Sequence, residues 1–410
     1  MLWNVSGKKE IPENLVQTAA DIWAGYSSDP QFHPYTGWID VRDCGAARAV
    51  IQQKATRWQS MADTLVLVGV GGSNQAARGV LDALGTPGMD VIYAGNTLSP
   101  RELRGVLDSL EGKSACMHVI AKNFETLEPG SHYRVLRQYF KERYSEGELA
   151  ERVVITGSEN TRLEAFAREQ GHLFLPFPLR VGGRYSAFTN VALLPIAAAG
   201  QDINAYLQGA KDMLSAIQKD ACHPAFQYAA WRNARYAEGK RVEVLAAFEP
   251  CWDRLCRWWR QLFGESEGKE GRGIFPAYSL YSEDLHSMGQ YMQQGERILM
   301  ETFLSVTDPG AVCAVPPDPN ARDGFDYLDG MDFDAINKVA ESATLAAHRA
   351  GGVPCAQLTV PRIDAYAFGQ LYFFFMAACA VSGGLLGVNP FDQDGVEAYK
   401  QSMFSALGKV

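Results

Sequence analysis

Thr64-Leu-Val-Leu-Val-Gly69-Val-Gly71-Gly72-Ser73 is a short continuous apolar run, rich in β-branched residues, that stops at glycines. Such a run suits a strand buried on both faces, as in a parallel sheet covered by helices. Asn74 to Leu84 continues at helical spacing, so the stretch reads as strand, glycine turn, helix. The pattern repeats downstream. Val91-Ile-Tyr-Ala-Gly95, Cys116-Met-His-Val-Ile-Ala121 and Val153-Val-Ile-Thr156 read as strands, and His172 to Pro176 reads as a further one. Pro100 to Leu110 reads as a helix between them, and residues 185–240 as mainly helical. Alternation then resumes. Val242 to Phe248, Ile298 to Leu304 and Gln357 to Val360 read as strands, Trp252 to Phe263 and Phe333 to Ala350 as helices, and Gly273 to Pro276 as a short extended piece. Strands alternating with helices predict an α/β fold with doubly wound parallel sheets. The expected division is an N-terminal helical cover at 1–60, a first α/β domain at 61–184, a helical connection at 185–240 and a second α/β domain with C-terminal helices at 241–410. A cleft between two such domains is a frequent place for a ligand.

Bulk properties narrow the function. The 410 residues are 47% hydrophobic, enough for a large core, and no long low-complexity run interrupts them. A formal net charge of −9 argues against a nucleic-acid binder, which needs a basic stripe to replace phosphate counterions. The eight cysteines form no C-x-x-C pair and read as reduced thiols of a cytoplasmic protein. The N-terminus lacks the apolar core of a signal peptide. Ala365 to Val388 carries no charge and is long enough to cross a membrane. Gln370, Ser382 and Gly383-Gly384 interrupt it and no basic cluster flanks it, so it is expected to be a helix buried against a sheet, with no membrane partner.

Four groups of residues could carry chemistry. The turn at Gly71, Gly72 and Ser73 lets backbone approach an anion at a helix N-terminus. Ser73 could cap that helix or bind phosphate, although a glycine turn also occurs in α/β proteins without either role. Lys122, Asn123 and Thr126 follow the third strand, at the sheet edge where ligands bind, but the same residues suit a plain polar loop. Arg184 follows Gly182-Gly183 and offers either a permanent charge for an oxyanion or an inter-domain ion pair. Glu265 stands in Gln261-Leu-Phe-Gly-Glu265-Ser-Glu-Gly-Lys269, beyond the predicted end of a helix and free of bulky neighbours. Glu267 and Lys269 in that phrase read as surface charges. His286, in Asp284-Leu-His286-Ser, and Lys400, in Asn389-Pro-Phe-Asp-Gln393-Asp-Gly-Val-Glu397-Ala-Tyr-Lys400, are by themselves as compatible with structural or solvated roles.

Taken in order, Gly-x-Gly-Gly-Ser at 69–73, Gly-Gly-Arg at 182–184 and the phrases around Glu265, His286 and Lys400 resemble the phosphoglucose isomerase family in its shorter bacterial form. The likeness runs from about residue 64 to the C-terminus. It implies two sugar-isomerase domains, a sugar phosphate as substrate, no metal or other cofactor, and a homodimer with shared active sites. It also implies roles. Ser73 with Lys122 and Thr126 would hold the phosphate. His286, from the neighbouring subunit, and Lys400 would assist ring opening. Glu265 would move a proton between C2 and C1, Arg184 would stabilise the cis-enediolate, and Gln261 and Gln393 would orient substrate hydroxyls. A proton next to a carbonyl is weakly acidic, so a positioned base and a nearby cation are both needed.

One stretch departs from the family. Its phosphate loop usually reads Ser-Lys-Ser/Thr-x-x-Thr, whereas here Ala121 and Asn123 replace two hydroxyl residues and Glu125 adds negative charge. The departure leaves open an isomerase of a related sugar phosphate. A non-catalytic sugar-phosphate-binding regulator is a further alternative, against which the joint presence of Glu265, His286, Lys400 and Arg184 argues.

Overall fold

In a computed structural model, which describes residues 1–5, 11–41, 47–122 and 126–408, the chain forms two five-stranded sheets with helices around them. The strands are β1 (Leu2–Val5), β2 (Thr64–Val68), β3 (Asp90–Ala94), β4 (Ala115–Ile120), β5 (Val153–Gly157), β6 (Leu173–Pro176), β7 (Val242–Ala247), β8 (Phe275–Leu280), β9 (Leu299–Asp308) and β10 (Cys355–Arg362). The helices before β7 are α1 (Glu13–Ser28), α2 (Arg48–Gln59), α3 (Gln75–Leu84), α4 (Pro100–Ser109), α5 (Leu127–Lys141), α6 (Glu146–Arg152), α7 (Arg162–Glu169), α8 (Asn190–Ala198), α9 (Ile203–Lys219) and α10 (Pro224–Ala237). After β7 come α11 (Asp253–Glu267), α12 (Gly289–Gln294), α13 (Phe333–Ala350), α14 (Ala365–Leu386) and α15 (Glu397–Ala406).

The first sheet has the order β3-β2-β4-β5-β6 and is parallel throughout. All five residues of β2 are buried, as its unbroken apolar run requires. The second sheet has the order β1-β10-β9-β7-β8, parallel except for β1, which pairs antiparallel with β10. The expectation of a helical cover at the N-terminus did not include β1. Its pairing lies with Ala356 to Thr359, too far along the chain for local sequence to show. In both sheets the chain leaves a leading strand, β2 or β7, adds one strand on one side and then crosses to the other. The strand order therefore reverses beside β2 and β7, and crevices open there beyond the strand C-terminal ends.

Helix α14 stands at the centre of the molecule. It is 22 residues long and apolar enough to cross a membrane by composition, yet 83% of its most apolar window is buried inside the protein. It packs mainly against α9, α10, α1 and α11, so helices rather than a sheet surround it. Gly209 and Gly369 make the closest of these contacts possible. A Cβ on either would come within about 2 Å of backbone oxygen on the other helix, at Tyr366 and Tyr206 respectively. Tyr372 on α14 donates to the Ala76 carbonyl of α3 at 2.8 Å, which ties this helical layer to the first sheet.

Candidate active site

The site is assembled from four segments far apart in sequence. The turn after β2 comes first. Gly71–Ser73 forms one 3₁₀ turn, with Gly71 at φ 57°, and α3 starts at Gln75. The N-cap of α3 is Asn74, not Ser73, and its side chain turns back to donate to the Gly69 carbonyl at 2.8 Å. Ser73 is thereby released from the capping role that the sequence left open. Lys122 and Thr126 follow β4, the neighbour of β2, so the two loops flank the crevice where the strand order reverses. Although part of Lys122 reaches solvent, desolvation by the surrounding protein, and secondarily Arg184, hold its ammonium below the ordinary lysine value. Thr126 precedes α5 and its hydroxyl makes no capping bond. Asn123 and Glu125 lie outside the described residues. Ala121 is nearly closed to solvent and packs in the apolar cluster of the first sheet.

The second segment is Gly182 to Ser186. Gly183–Tyr185 is another 3₁₀ turn, seated on the first one. Ser186 Oγ donates to the Gly72 carbonyl at 3.2 Å. A Cβ on Gly72 would lie 2.1 Å from the Gly183 carbonyl oxygen, so only glycine permits this seat. Gly72→Ala is expected to lower Tm, since overpacking of this kind costs about 1–3 kcal/mol, and a melting curve checks it.

Arg184 is 2% exposed and links the segments. Its Nε donates to Ser266 Oγ at 2.8 Å, Nη1 to Gln393 Oε1 at 2.8 Å, and Nη2 to the carbonyls of Pro390 at 2.6 Å and Asp392 at 2.9 Å. A guanidinium has five N–H donors. These four bonds hold it in one orientation and leave one Nη1 hydrogen, and Nη1 lies 3.6 Å from Glu265 Oε2.

The third segment is the end of α11, which crosses from the second half of the chain to pack on α3. Glu265 lies within the last turn of this helix, two residues before its end, whereas the sequence placed it beyond the helix. Gly264 did not stop the helix because core packing of Leu262, Phe263, Ser266 and Glu267 carries it on, and the helix ends only at its C-cap, Gly268. Gln261 is one helical turn before Glu265 and donates to Glu265 Oε1 at 3.0 Å. Its Oε1 is buried without a hydrogen-bond partner among the described residues. The fourth segment is the turn at Asn389 to Gln393. Lys269 braces it through the carbonyls of Asn389 and Asp392 and an ion pair with Asp392 Oδ1 at 2.6 Å. Gln393 accepts from Arg184 through its oxygen, a bond that leaves its amide NH₂ group uncommitted to Arg184.

The expectation of surface charges at Glu267 and Lys269 is corrected. Glu267 is fully buried against Arg232, and the Lys269 side chain is 15% exposed. Sequence reading also missed Ser266, which anchors Arg184. Among the described residues no hydrogen bond or ion pair joins His286 or Lys400 to Glu265. His286 is exposed on a 3₁₀ turn after β8, and Lys400 on α15 pairs with Glu397 at 2.7 Å.

A carboxylate 33% exposed, held by an amide and facing a fully oriented guanidinium, can exchange protons with a carbon acid whose oxyanion the guanidinium meets. Residues 51–274 match the family described as phosphoglucose isomerase. The chain belongs to the phosphoglucose isomerase family. It is 43% identical over 391 residues to the glucose-6-phosphate isomerase of Heliobacterium modesticaldum, covering 92% of this chain and 88% of that protein. It is 42% identical to that of Symbiobacterium thermophilum, over 92% of this chain and 87% of that one. Among solved structures, a hypothetical protein from Thermus thermophilus matches with a TM-score of 0.89 at 23% identity, over 99% of this chain and 100% of that chain. A glucose-6-phosphate isomerase from Chlamydia trachomatis matches with a TM-score of 0.79 at 18% identity, over 96% of this chain and 78% of that one. The phosphoglucose isomerase family is thus the sequence relationship, and the two structures share its fold.

Proposed function

We propose that this chain is an aldose–ketose isomerase that interconverts glucose 6-phosphate and fructose 6-phosphate, with Glu265 as the base. The observation that carries the assignment of the base is the facing pair of Glu265 and Arg184, with Arg184 already held by four hydrogen bonds. In the open-chain aldose, Glu265 takes the C2 proton as a C1–C2 double bond forms and negative charge moves to O1. The remaining Nη1 hydrogen of Arg184 meets that oxyanion without having to reorganise. A proton then passes from O2 to O1, and Glu265 returns its proton to C1 as O2 becomes the ketone oxygen. The Gln261 oxygen accepts from one substrate hydroxyl and the Gln393 amide donates to another. The phosphate rests on the backbone of Gly71 and Gly72, on Ser73, and on Lys122, Asn123 and Thr126, at the N-terminal end of α3. Lys400, and His286 from a second subunit, assist ring opening in a cytoplasmic homodimer. The exposure of His286 on a turn at the surface of its own chain supports that arrangement.

A coupled assay of the purified protein with fructose 6-phosphate, beside other ketose phosphates, tests the substrate. The kcat/KM for fructose 6-phosphate is expected to exceed the others by about tenfold or more. The reverse order would assign a related sugar phosphate, the reading favoured by Ala121 and Asn123. A lost hydrogen bond to a charged group costs about 1.5–3 kcal/mol. The double variant Ala121→Ser with Asn123→Thr, which restores two hydroxyls, is therefore expected to lower KM about tenfold with kcat little changed. An unchanged KM and kcat would remove the phosphate loop as a determinant of affinity.

A further inference from the structure

Behind Glu265 lies a buried charge cluster that the steps above do not use. Arg232 on α10 is fully buried. Its Nε donates to Glu243 Oε2 on β7, and its Nη1 and Nη2 donate to the two oxygens of Glu267 on α11. Ser382 on α14 accepts from Arg232 Nη1 at 2.7 Å and hydrogen-bonds Glu267 as well. Tyr228 and Thr302 each donate to Glu243 Oε1 at 2.7 Å. Two helices and a strand therefore meet the end of α11 through one guanidinium.

Glu267 is two residues beyond Glu265, about 200° around the helix axis. The two carboxylates leave opposite sides of one turn. Ser266, between them, accepts from Arg184. Three consecutive residues are thus tied in three directions, and their ties fix both the rotation and the height of the turn.

The cluster is a costly way to hold a helix. Glu265 and Glu267 stand at the negative end of the helix dipole, where the last turn has no basic residue to offset them. Burial also disfavours the Glu267 charge and pushes its carboxyl up, against the pull of Arg232. Buried ion pairs contribute little net stability compared with apolar packing. Local rules broken in this way concentrate where geometry matters more than stability.

We propose that Glu267 is a positioning residue: its two-point bond to Arg232 sets the rotation of the last turn of α11, and with it the aim of Glu265 at the substrate carbon. The proposal rests on Glu265 being the base.

The test is Glu267→Gln, which keeps the side-chain shape but loses the paired charge. Assayed well below its Tm, it is expected to lose about tenfold in kcat, because small misplacements of a catalytic group are expensive in rate. KM for fructose 6-phosphate stays within about twofold, since the phosphate contacts belong to the first sheet. Tyr228→Phe removes one hydrogen bond from the far side of the same cluster. It is expected to lower Tm yet leave kcat within about twofold. A folded Glu267→Gln enzyme with wild-type kcat would overturn the proposal, as would an equal kcat loss in Tyr228→Phe. If Glu267→Gln does not fold, Glu267→Asp decides, because it keeps the charge and shortens the tether. A tenfold loss of kcat at unchanged KM supports positioning, and wild-type kcat overturns it. Glu265→Gln run alongside separates the two ideas. Full turnover in that variant would sink the base assignment itself, whereas an inactive Glu265→Gln beside fully active Glu267 variants would sink positioning alone.

Discussion

Replacing Glu265 by Gln is expected to lower kcat about 10³-fold while KM for fructose 6-phosphate stays within about threefold, the signature of a lost general base. Gln has nearly the same shape, so α11 keeps its last turn and Gln261 still has an oxygen to donate to. What disappears is the proton acceptor. The neutral amide cannot take a proton from C2, and among the described residues the partners of Glu265 are the Gln261 amide and the Arg184 guanidinium, neither of which can replace it. Steady-state kinetics give the split between kcat and KM. Exchange in deuterated water gives an independent reading. The wild-type enzyme should place deuterium at C1 and C2 of the sugar phosphates, and the variant should place almost none. Near-normal turnover by Glu265→Gln would show that another group moves the proton.

Arg184→Ala should cost kcat/KM about 10²–10³-fold and also lower stability. The two losses have separate causes. In the proposed mechanism the kinetic loss follows from removing the cation that faces Glu265 and would meet the enediolate oxygen. The stability loss follows from the carbonyls of Pro390 and Asp392 and the side chains of Ser266 and Gln393, all of which bond Arg184. Each buried group left unpaired costs about 1–3 kcal/mol. Arg184→Lys separates the effects. It keeps the charge, but an ammonium has three donors and no planar fork, so it cannot meet four fixed acceptors and still face the substrate. Its kcat should fall about 10²-fold with a smaller drop in Tm. A lysine enzyme within tenfold of wild type would show that charge alone, without the held orientation, is sufficient.

Both predictions concern groups whose names were legible in the sequence but whose surroundings were not. The run Thr64 to Val68 announced a doubly buried strand, and the glycines after it announced a turn at a helix N-terminus, because both signals are local. The sequence also showed alternation in both halves of the chain. The two leading strands end in different surroundings: glycines and Ser73 follow β2, with Lys122 after β4, whereas Glu249 follows β7, its carboxyl pushed up by burial.

The phrase from Gln261 to Lys269 marks the boundary between the two kinds of information. Sequence alone determined that a helix leads up to the carboxylate; that Gln261 and Glu265 share its face emerged only because the helix continues to Glu267, a spacing of four residues being one helical turn. It also determined the family, through short phrases in a fixed order. Only the tertiary structure decided which charge in the phrase does what. Glu265 faces Arg184 and stays part-exposed, Glu267 is sealed in the core and Lys269 braces a turn more than a hundred residues away. Helical period places side chains around an axis but carries no information about what packs on each side. That depends on Arg232, Glu243 and Ser382, which reach Glu267 only after strands and helices distant in sequence have assembled. A charge is exposed, paired or buried according to those neighbours, so its role was settled by packing.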